Sequence, residues 1–152
     1  MRDLLKTSNT FVWDEAIHLH AFKRTKTALA NTPILAHYKQ GCDTALQVDA
    51  SRLKGLGYCL LQKQDGDWRV IQCGSRFLSP AESRYAMVEL ELLGAVWAAS
   101  KTRIYTLGRR DVSLITDHQP LVSIINSRLM DQIPNPRIFC LKEKLLPYPF
   151  RA

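Results

Sequence analysis

The sequence predicts an α/β domain built on a mixed sheet, and three observations carry the prediction. Three short apolar segments, residues 44–48, 56–62 and 68–75, follow one another with turn residues between them, as in an antiparallel meander. A stretch opening on Ser79-Pro80-Ala81-Glu82 then presents apolar residues on two helical faces as far as Arg103, the pattern of a buried helix. A fourth apolar segment, residues 112–116, comes after that helix. A strand that returns through a helical crossover pairs in parallel with its neighbour, here the first strand.

Taken in order, residues 1–10 are a polar lead-in, and Ala16, Leu19, Phe22 and Leu29 recur at near-helical spacing. They predict an amphipathic helix over residues 14–31, with Asp14 as N-cap and Asn31-Thr32-Pro33 as its stop. The first strand ends at Asp49; the second is entered through Gly55 and Gly57; the third follows the turn Gln64-Asp65-Gly66-Asp67. Ser79 and Glu82 form a capping-box pattern with Pro80 at the first helical position. One stripe of the helix they open is Tyr85, Val88, Leu92, Ala95 and Ala99, and a second is Leu90, Leu93 and Trp97. Glu89 and Glu91 lie within it. The fourth strand ends at Asp117, and short helices are expected over residues 121–126 and 136–146. The chain stops at Ala152, where a further strand is expected to begin. Residues 1–40 are thus a helical segment ahead of one domain, residues 41–152.

At 152 residues and 46% apolar composition the chain can bury a core and is not a disordered tail. A net charge of +7 favours polyanionic partners through counterion release. Cys42, Cys59, Cys73 and Cys140 contain no Cys-x-x-Cys pair, which argues against zinc. Cys59 and Cys73 sit in apolar runs and are expected to be buried, reduced thiols. No secretory leader or membrane-length apolar run is present, so an intracellular, cytoplasmic protein without membrane contact is expected.

The chemistry rests on three carboxylates. Asp49 and Asp117 each close an apolar strand, and parallel neighbours bring both to one sheet edge, where α/β sheets place ligands. A third carboxylate, Glu91 or Glu89, comes from the buried helix. Unpaired carboxylates buried side by side cost several kcal/mol each, and a hard divalent cation with oxygen ligands removes that cost. Two such cations can clamp the attacking and leaving oxygens of a phosphodiester. Taken singly, an Asp after a strand is a turn or cap residue and a helical Glu is a solvent or Lys partner; only the combination points to metal. Sugar kinases and actin-like ATPases share such sheets but need a second lobe and glycine-rich phosphate loops, which seven glycines and one domain do not supply.

An ordered series of motifs extends the reading. Phe11-Val12-Trp13, Ala21-Phe22-Lys23 and Pro33-Ile34-Leu35-Ala36 are followed by Val48-Asp49-Ala50-Ser51 and Gly55-Leu56-Gly57-Tyr58-Cys59-Leu60-Leu61-Gln62. Gly74-Ser75-Arg76-Phe77-Leu78-Ser79, Ala81-Glu82-Ser83-Arg84-Tyr85, Glu89-Leu90-Glu91-Leu92-Leu93, Thr116-Asp117-His118-Gln119-Pro120-Leu121 and Asn135-Pro136-Arg137 come next. The series resembles the connection segment (residues 1–40) and RNase H domain (residues 41–152) of gypsy-type retrotransposon reverse transcriptases. The resemblance implies an RNase H-like fold and two-metal cleavage of RNA in RNA/DNA hybrids with two Mg²⁺ ions. It also implies a polymerase domain in the same polyprotein as partner. The alternative is a catalytically inactive RNase H-like remnant that binds hybrid or packs on the polymerase.

In that family the metal set is Asp-Glu-Asp-Asp. Asp49 matches the first member, the bridging one, and Asp117 the third. Glu91-Leu92-Leu93-Gly94 fits the family's Glu-Leu-x-Ala/Gly pattern, so the resemblance selects Glu91 and leaves Glu89 as the alternative. Ser51, Arg76, Arg84 and His118, with basic residues between Lys101 and Arg110, are the nucleic-acid-contact candidates. The family's last strand, last helix and fourth Asp follow the Leu146-Pro147-Tyr148-Pro149-Phe150 segment, so this chain is expected to lack them and the second ion's full ligand set.

Overall fold

The structure, a computed structural model, describes residues 10–30 and 35–152. The polar lead-in ahead of Thr10, the Asn31-Thr32-Pro33 stop and the side chain of Leu29 lie outside the described residues. Two compact units divide between Ile34 and Leu35.

In the first unit Asp14 caps a helix as its sequence position predicts. Its Oδ1 accepts from the amides of Ala16 (2.8 Å) and Ile17 (3.3 Å), satisfying donors that have no partner within the helix. A π-helical turn, Glu15–Leu19, leads into helix α1, His20–Ala30. Of its apolar stripe, Ala16 and Phe22 are exposed and Leu19 is half-buried; Phe22 meets Trp13 edge-on at 6.1 Å.

The second unit is a four-stranded sheet of β1 (Thr44–Ser51), β2 (Gly55–Gln64), β3 (Asp67–Arg76) and β4 (Val112–Ile115), in the order β3-β2-β1-β4. The first three strands form the antiparallel meander and β4 joins β1 in parallel. Asp65 (φ 55°) and Gly66 (φ 92°) make the β2–β3 turn. Two successive positive φ values match the twist of a two-residue hairpin, which explains Asp-Gly there. At the β1–β2 turn, Gly55 has φ 107°, and a Cβ there would lie 2.1 Å from the Arg76 carbonyl oxygen. Only glycine admits both the conformation and that close approach.

Strand β1 differs from expectation at its end: it does not stop at Asp49. Pairing of Ala50 with Leu56 and of Ser51 with Gly55 carries the ladder two residues further. The buried alternation Leu46, Val48, Ala50 continues with it. Segment 35–40 runs alongside the sheet. The Ala36 amide donates to the Val70 carbonyl (2.9 Å), and the buried Gln62 side chain accepts from the Lys39 amide at Oε1 and donates from Nε2 to the Lys39 carbonyl (2.9 Å each).

The buried helix also begins later than its capping-box pattern suggests. Ser79 and Glu82 do form the reciprocal bonds, Ser79 amide to Glu82 Oε2 at 2.8 Å and Glu82 amide to Ser79 Oγ at 3.2 Å. They open only the single 3-10 turn Glu82–Arg84, after which Tyr85 is extended (ψ 151°). Helix α2 runs from Met87 to Lys101. A short helix α3, Arg103–Thr106, follows a break at Thr102. Arg76 also binds the Glu82 carboxylate with two bonds of 2.8 Å, tying that turn to β3.

Helix α4 (Gln119–Asn126) and helix α5 (Pro136–Leu145) complete the unit. Leu46, Val48, Leu60, Leu92, Ala95, Ala98, Leu114, Leu121, Leu141 and Leu145 form one buried core between sheet and helices. Ala95, Ala98 and Ala99, all fully buried, let α2 lie close on the strands. Beyond α5, the Leu114 amide donates to the Arg151 carbonyl (2.7 Å), a parallel bridge on the outer edge of β4.

The cysteines depart from the sequence reading. All four are free thiols, but Cys59 is only half-buried and Cys73 is exposed. They face each other across β2 and β3, in the alternate positions to the buried Tyr58 and Leu60, so their apolar neighbours do not cover them. Among the described residues no helix is long and apolar enough to cross a membrane.

Candidate metal centre

The β1–β4 register sets the site. Gln47 pairs with Ile115 in parallel, and Asp49 and Asp117 each lie two residues further on, so the two aspartates come level where the strands diverge. Both are exposed. Gln47, Val48, Asp49, Ile115, Thr116 and Asp117 line a groove of about 270 Å³.

Glu91, from the second turn of α2, completes the group. Asp49, Glu91 and Asp117 each offer a carboxylate oxygen, and the three oxygens lie within 4.8 Å of one another. Glu91 is 2% exposed, and its Oε2 is buried with no hydrogen-bond partner among the described residues. Burial, then the charges of Asp117 and Asp49, push its carboxyl up to about 7, with the Ala50 amide a partial offset. An all-carboxylate donor set with one orphaned buried oxygen fits a hard divalent cation, which would supply the missing partner and neutralise the mutual repulsion. Among the described residues no fourth acidic, His or Cys side chain joins the three.

Glu89 does not share in this site. Its carboxylate accepts from the Ala86 amide (2.9 Å), Asn135 Nδ2 (3.0 Å) and Arg137 Nη1 (3.0 Å to each oxygen). Desolvation raises its carboxyl, but these bonds outweigh it and hold the group below the usual carboxylate range. The sequence alternatives Glu89 and Glu91 are therefore separated by partners: one is saturated by hydrogen bonds, the other faces two like charges.

Among the nucleic-acid-contact candidates, Ser51 closes β1, its Oγ accepting from the Lys54 amide at 3.2 Å. Arg84 is exposed on the 3-10 turn. His118 is the N-cap of α4 and its amide donates to Thr116 Oγ1 at 3.2 Å. Arg76 is turned inward instead. Its guanidinium is held by Glu82 and lies 5.6 Å over the Trp97 ring, which makes it a structural tie. Between Lys101 and Arg110, Lys101 and Arg103 are exposed, while Arg109 bonds Asp111 (2.9 Å) and lies over Tyr38. Asn135 and Arg137 are the polar residues whose role sequence patterning missed. Their contact with Glu89 spans more than forty residues, and no local spacing announces it.

The mixed sheet with one parallel strand, flanked by helices and carrying three carboxylates at one edge, defines an α/β domain of the RNase H-like class. A family model described as "RNase H-like domain found in reverse transcriptase" matches residues 13–114. The retrovirus-related Pol polyprotein from transposon gypsy of Drosophila melanogaster is 35% identical over 112 residues. The match covers 72% of this chain and 10% of that polyprotein. The chain belongs to the RNase H-like domains of reverse transcriptases, and it spans about a tenth of the length of this curated relative. Among solved structures, a foamy viral protease-reverse transcriptase in complex with double-stranded DNA superposes with a TM-score of 0.67 at 16% identity, covering 95% of this chain and 29% of that one. The same foamy viral protein in complex with RNA/DNA hybrid gives 0.60 at 16% identity, covering 93% and 19%. At this identity the two likenesses speak for the fold.

Proposed function

We propose that this chain is the ribonuclease H of a retrotransposon polyprotein, binding RNA/DNA hybrid and hydrolysing its RNA strand with Mg²⁺ held by Asp49, Glu91 and Asp117. The buried Oε2 of Glu91, without a hydrogen-bond partner among the described residues and facing two further carboxylates, carries the reading, since such a group is stable at neutral pH only with a cation or a proton. When bound, divalent ions lower the pKa of water and neutralise charge on the attacking and departing oxygens of a phosphodiester. Asp49 matches the first aspartate of the family's metal set, and on that resemblance it would be the ligand shared between cations. Glu91 gives up its proton as it becomes a ligand, so cation binding tightens as pH rises through about 7. The net charge of +7 draws the polyanion to the chain. Ser51, Arg84 and His118 are assigned to hybrid contact, with Arg76 bracing the edge from within. The polymerase of the same polyprotein is the proposed protein partner.

The test uses labelled RNA/DNA hybrid and duplex DNA at one fixed salt concentration. Hybrid is expected to bind more tightly, because a 2′-hydroxyl distinguishes the strand to be cut. Equal affinity for both duplexes leaves nonspecific charge as the explanation. Cleavage should require Mg²⁺ and vanish in Asp49→Asn. It is expected to be slow in the 152-residue chain, because three carboxylates complete one cation site and in-line hydrolysis uses two. Appending a relative's terminal segment with its aspartate should speed it, and the same segment with Asn in place of that aspartate should not. An extended chain that binds hybrid and Mg²⁺ yet cuts nothing would make this an inactive hybrid-binding module.

A further inference from the structure

Helix α2 carries Glu91 but has no side-chain cap of its own at Ala86, because alanine accepts no hydrogen bond. Glu89 supplies the other half of a capping box, its Oε2 accepting from the Ala86 amide. The same carboxylate is 5% exposed, and its remaining partners come from the entry of α5. Arg137 Nη1 is 3.0 Å from both oxygens and Asn135 Nδ2 is 3.0 Å from Oε1. Asn135 also caps α5, its Oδ1 accepting from the Arg137 amide (2.9 Å) and the Ile138 amide (3.2 Å). The Arg137 guanidinium lies 4.0 Å over the ring of Tyr85, the extended residue just ahead of α2. One cluster therefore fixes where both helices begin.

We infer that Arg137, acting through Glu89, is a positioning residue for Glu91: the Glu89–Arg137–Asn135 cluster sets the start and axial rotation of α2 and so aims Glu91 at Asp49 and Asp117. This rests on the cation-binding reading of those three residues. Two residues apart on an α-helix are about 200° apart around its axis, so the cluster grips α2 on the side away from the carboxylate group. A rotation of α2 by about 20° would move a carboxylate roughly 6 Å from the axis by about 2 Å. A cation shell tolerates a few tenths of an ångström. The ion pair is worth more here as alignment than as stability, because Arg137 is half-exposed.

The experiment titrates the 152-residue chain with Mn²⁺ alone, read by electron paramagnetic resonance, and follows amide hydrogen exchange at Leu90 and Glu91. Arg137→Ala is expected to weaken Mn²⁺ binding about tenfold and to speed exchange at both amides. Arg137→Lys, which keeps the charge but loses the fork and the flat stack on Tyr85, should recover part of each. Leu145→Ala removes a buried α5 side chain far along the helix. It should lower Tm at least as much and leave Mn²⁺ affinity within twofold of the parent. Should Arg137→Ala fail to fold, Asn135→Ala takes its place under the same criteria. Parent-like Mn²⁺ affinity in Arg137→Ala, or an equal loss in Leu145→Ala, would overturn the inference. If the parent itself binds no Mn²⁺, the metal reading fails separately. Exchange then decides the positioning role, and protection retained in Arg137→Ala overturns it.

Discussion

Replacing Glu91 by glutamine should make the cation-free protein more stable at alkaline pH, the reverse of what losing a buried residue usually does. Glu91 has an ordinary carboxyl value of 4.5, raised to about 7 by burial and by Asp117 and Asp49. Below pH 4.5 the group is protonated in folded and unfolded chains alike and contributes no pH-dependent difference. Between 4.5 and about 7 the unfolded chain ionises first, so stability falls as pH rises. Above 7 the full cost of ionising the buried group is present, up to about 3 kcal/mol at about 1.4 kcal/mol per pH unit of displacement. Glutamine keeps the shape without the charge. Urea unfolding followed by tryptophan fluorescence, with chelator present, should show parent and Glu91→Gln converging near pH 4. The variant should be ahead by up to about 3 kcal/mol at pH 8. Mg²⁺ should then restore the parent and leave the variant nearly unmoved, since an amide is a poor substitute for an ionised ligand. A difference that does not vary with pH, or a variant less stable than the parent at pH 8 without cation, would refute the reasoning.

Two further outcomes test the scaffold beneath the site. Gly55→Ala should cost about 3 kcal/mol or more, because it combines a positive φ with a Cβ placed 2.1 Å from the Arg76 carbonyl; a thermal midpoint within a degree or two of the parent's would contradict this. Glu82 is held down at about 2, first by its hydrogen bonds to Arg76, so its stabilisation is complete above pH 4.5 and lost as pH falls towards 2. Glu82→Gln should therefore lose about 1–3 kcal/mol at pH 7 and draw level with the parent in acid. A deficit undiminished at pH 2 would show that packing, and not charge, is what the substitution removes.

The arrangement also explains why the carboxylates sit where they do. A parallel strand pair brings two residues level at one edge, but that edge is open to solvent and would hold a cation weakly. The helix supplies the buried third carboxylate, whose poor solvation raises the gain from binding. The site thus joins two exposed ligands set by strand register to one desolvated ligand set by helix placement.

Periodicity and turn chemistry made most of the architecture legible. The Asp65-Gly66 turn, the alternation along β1 and β2, the two-faced helix and the aspartates near the ends of β1 and β4 follow from local rules that hold before any tertiary contact forms, although β1 runs two residues past Asp49. Those rules placed Asp49 and Asp117 as a pair, because a crossover strand has a preferred partner. They did not separate Glu89 from Glu91. Both are acidic residues in one buried helix, and only the family pattern favoured one of them before the structure was known. The tertiary structure decides between them: Glu89 meets Asn135 and Arg137, more than forty residues away, while Glu91 meets two carboxylates and, among the described residues, no donor to its Oε2. It likewise moved the helix start from Pro80 to Met87: the Ser79–Glu82 capping box forms, but the chain turns extended at Tyr85 before the long helix begins. Spacing along the chain determines which face a side chain takes. What waits on that face is a non-local fact, and the charge, burial and pKa of a titratable group depend on it.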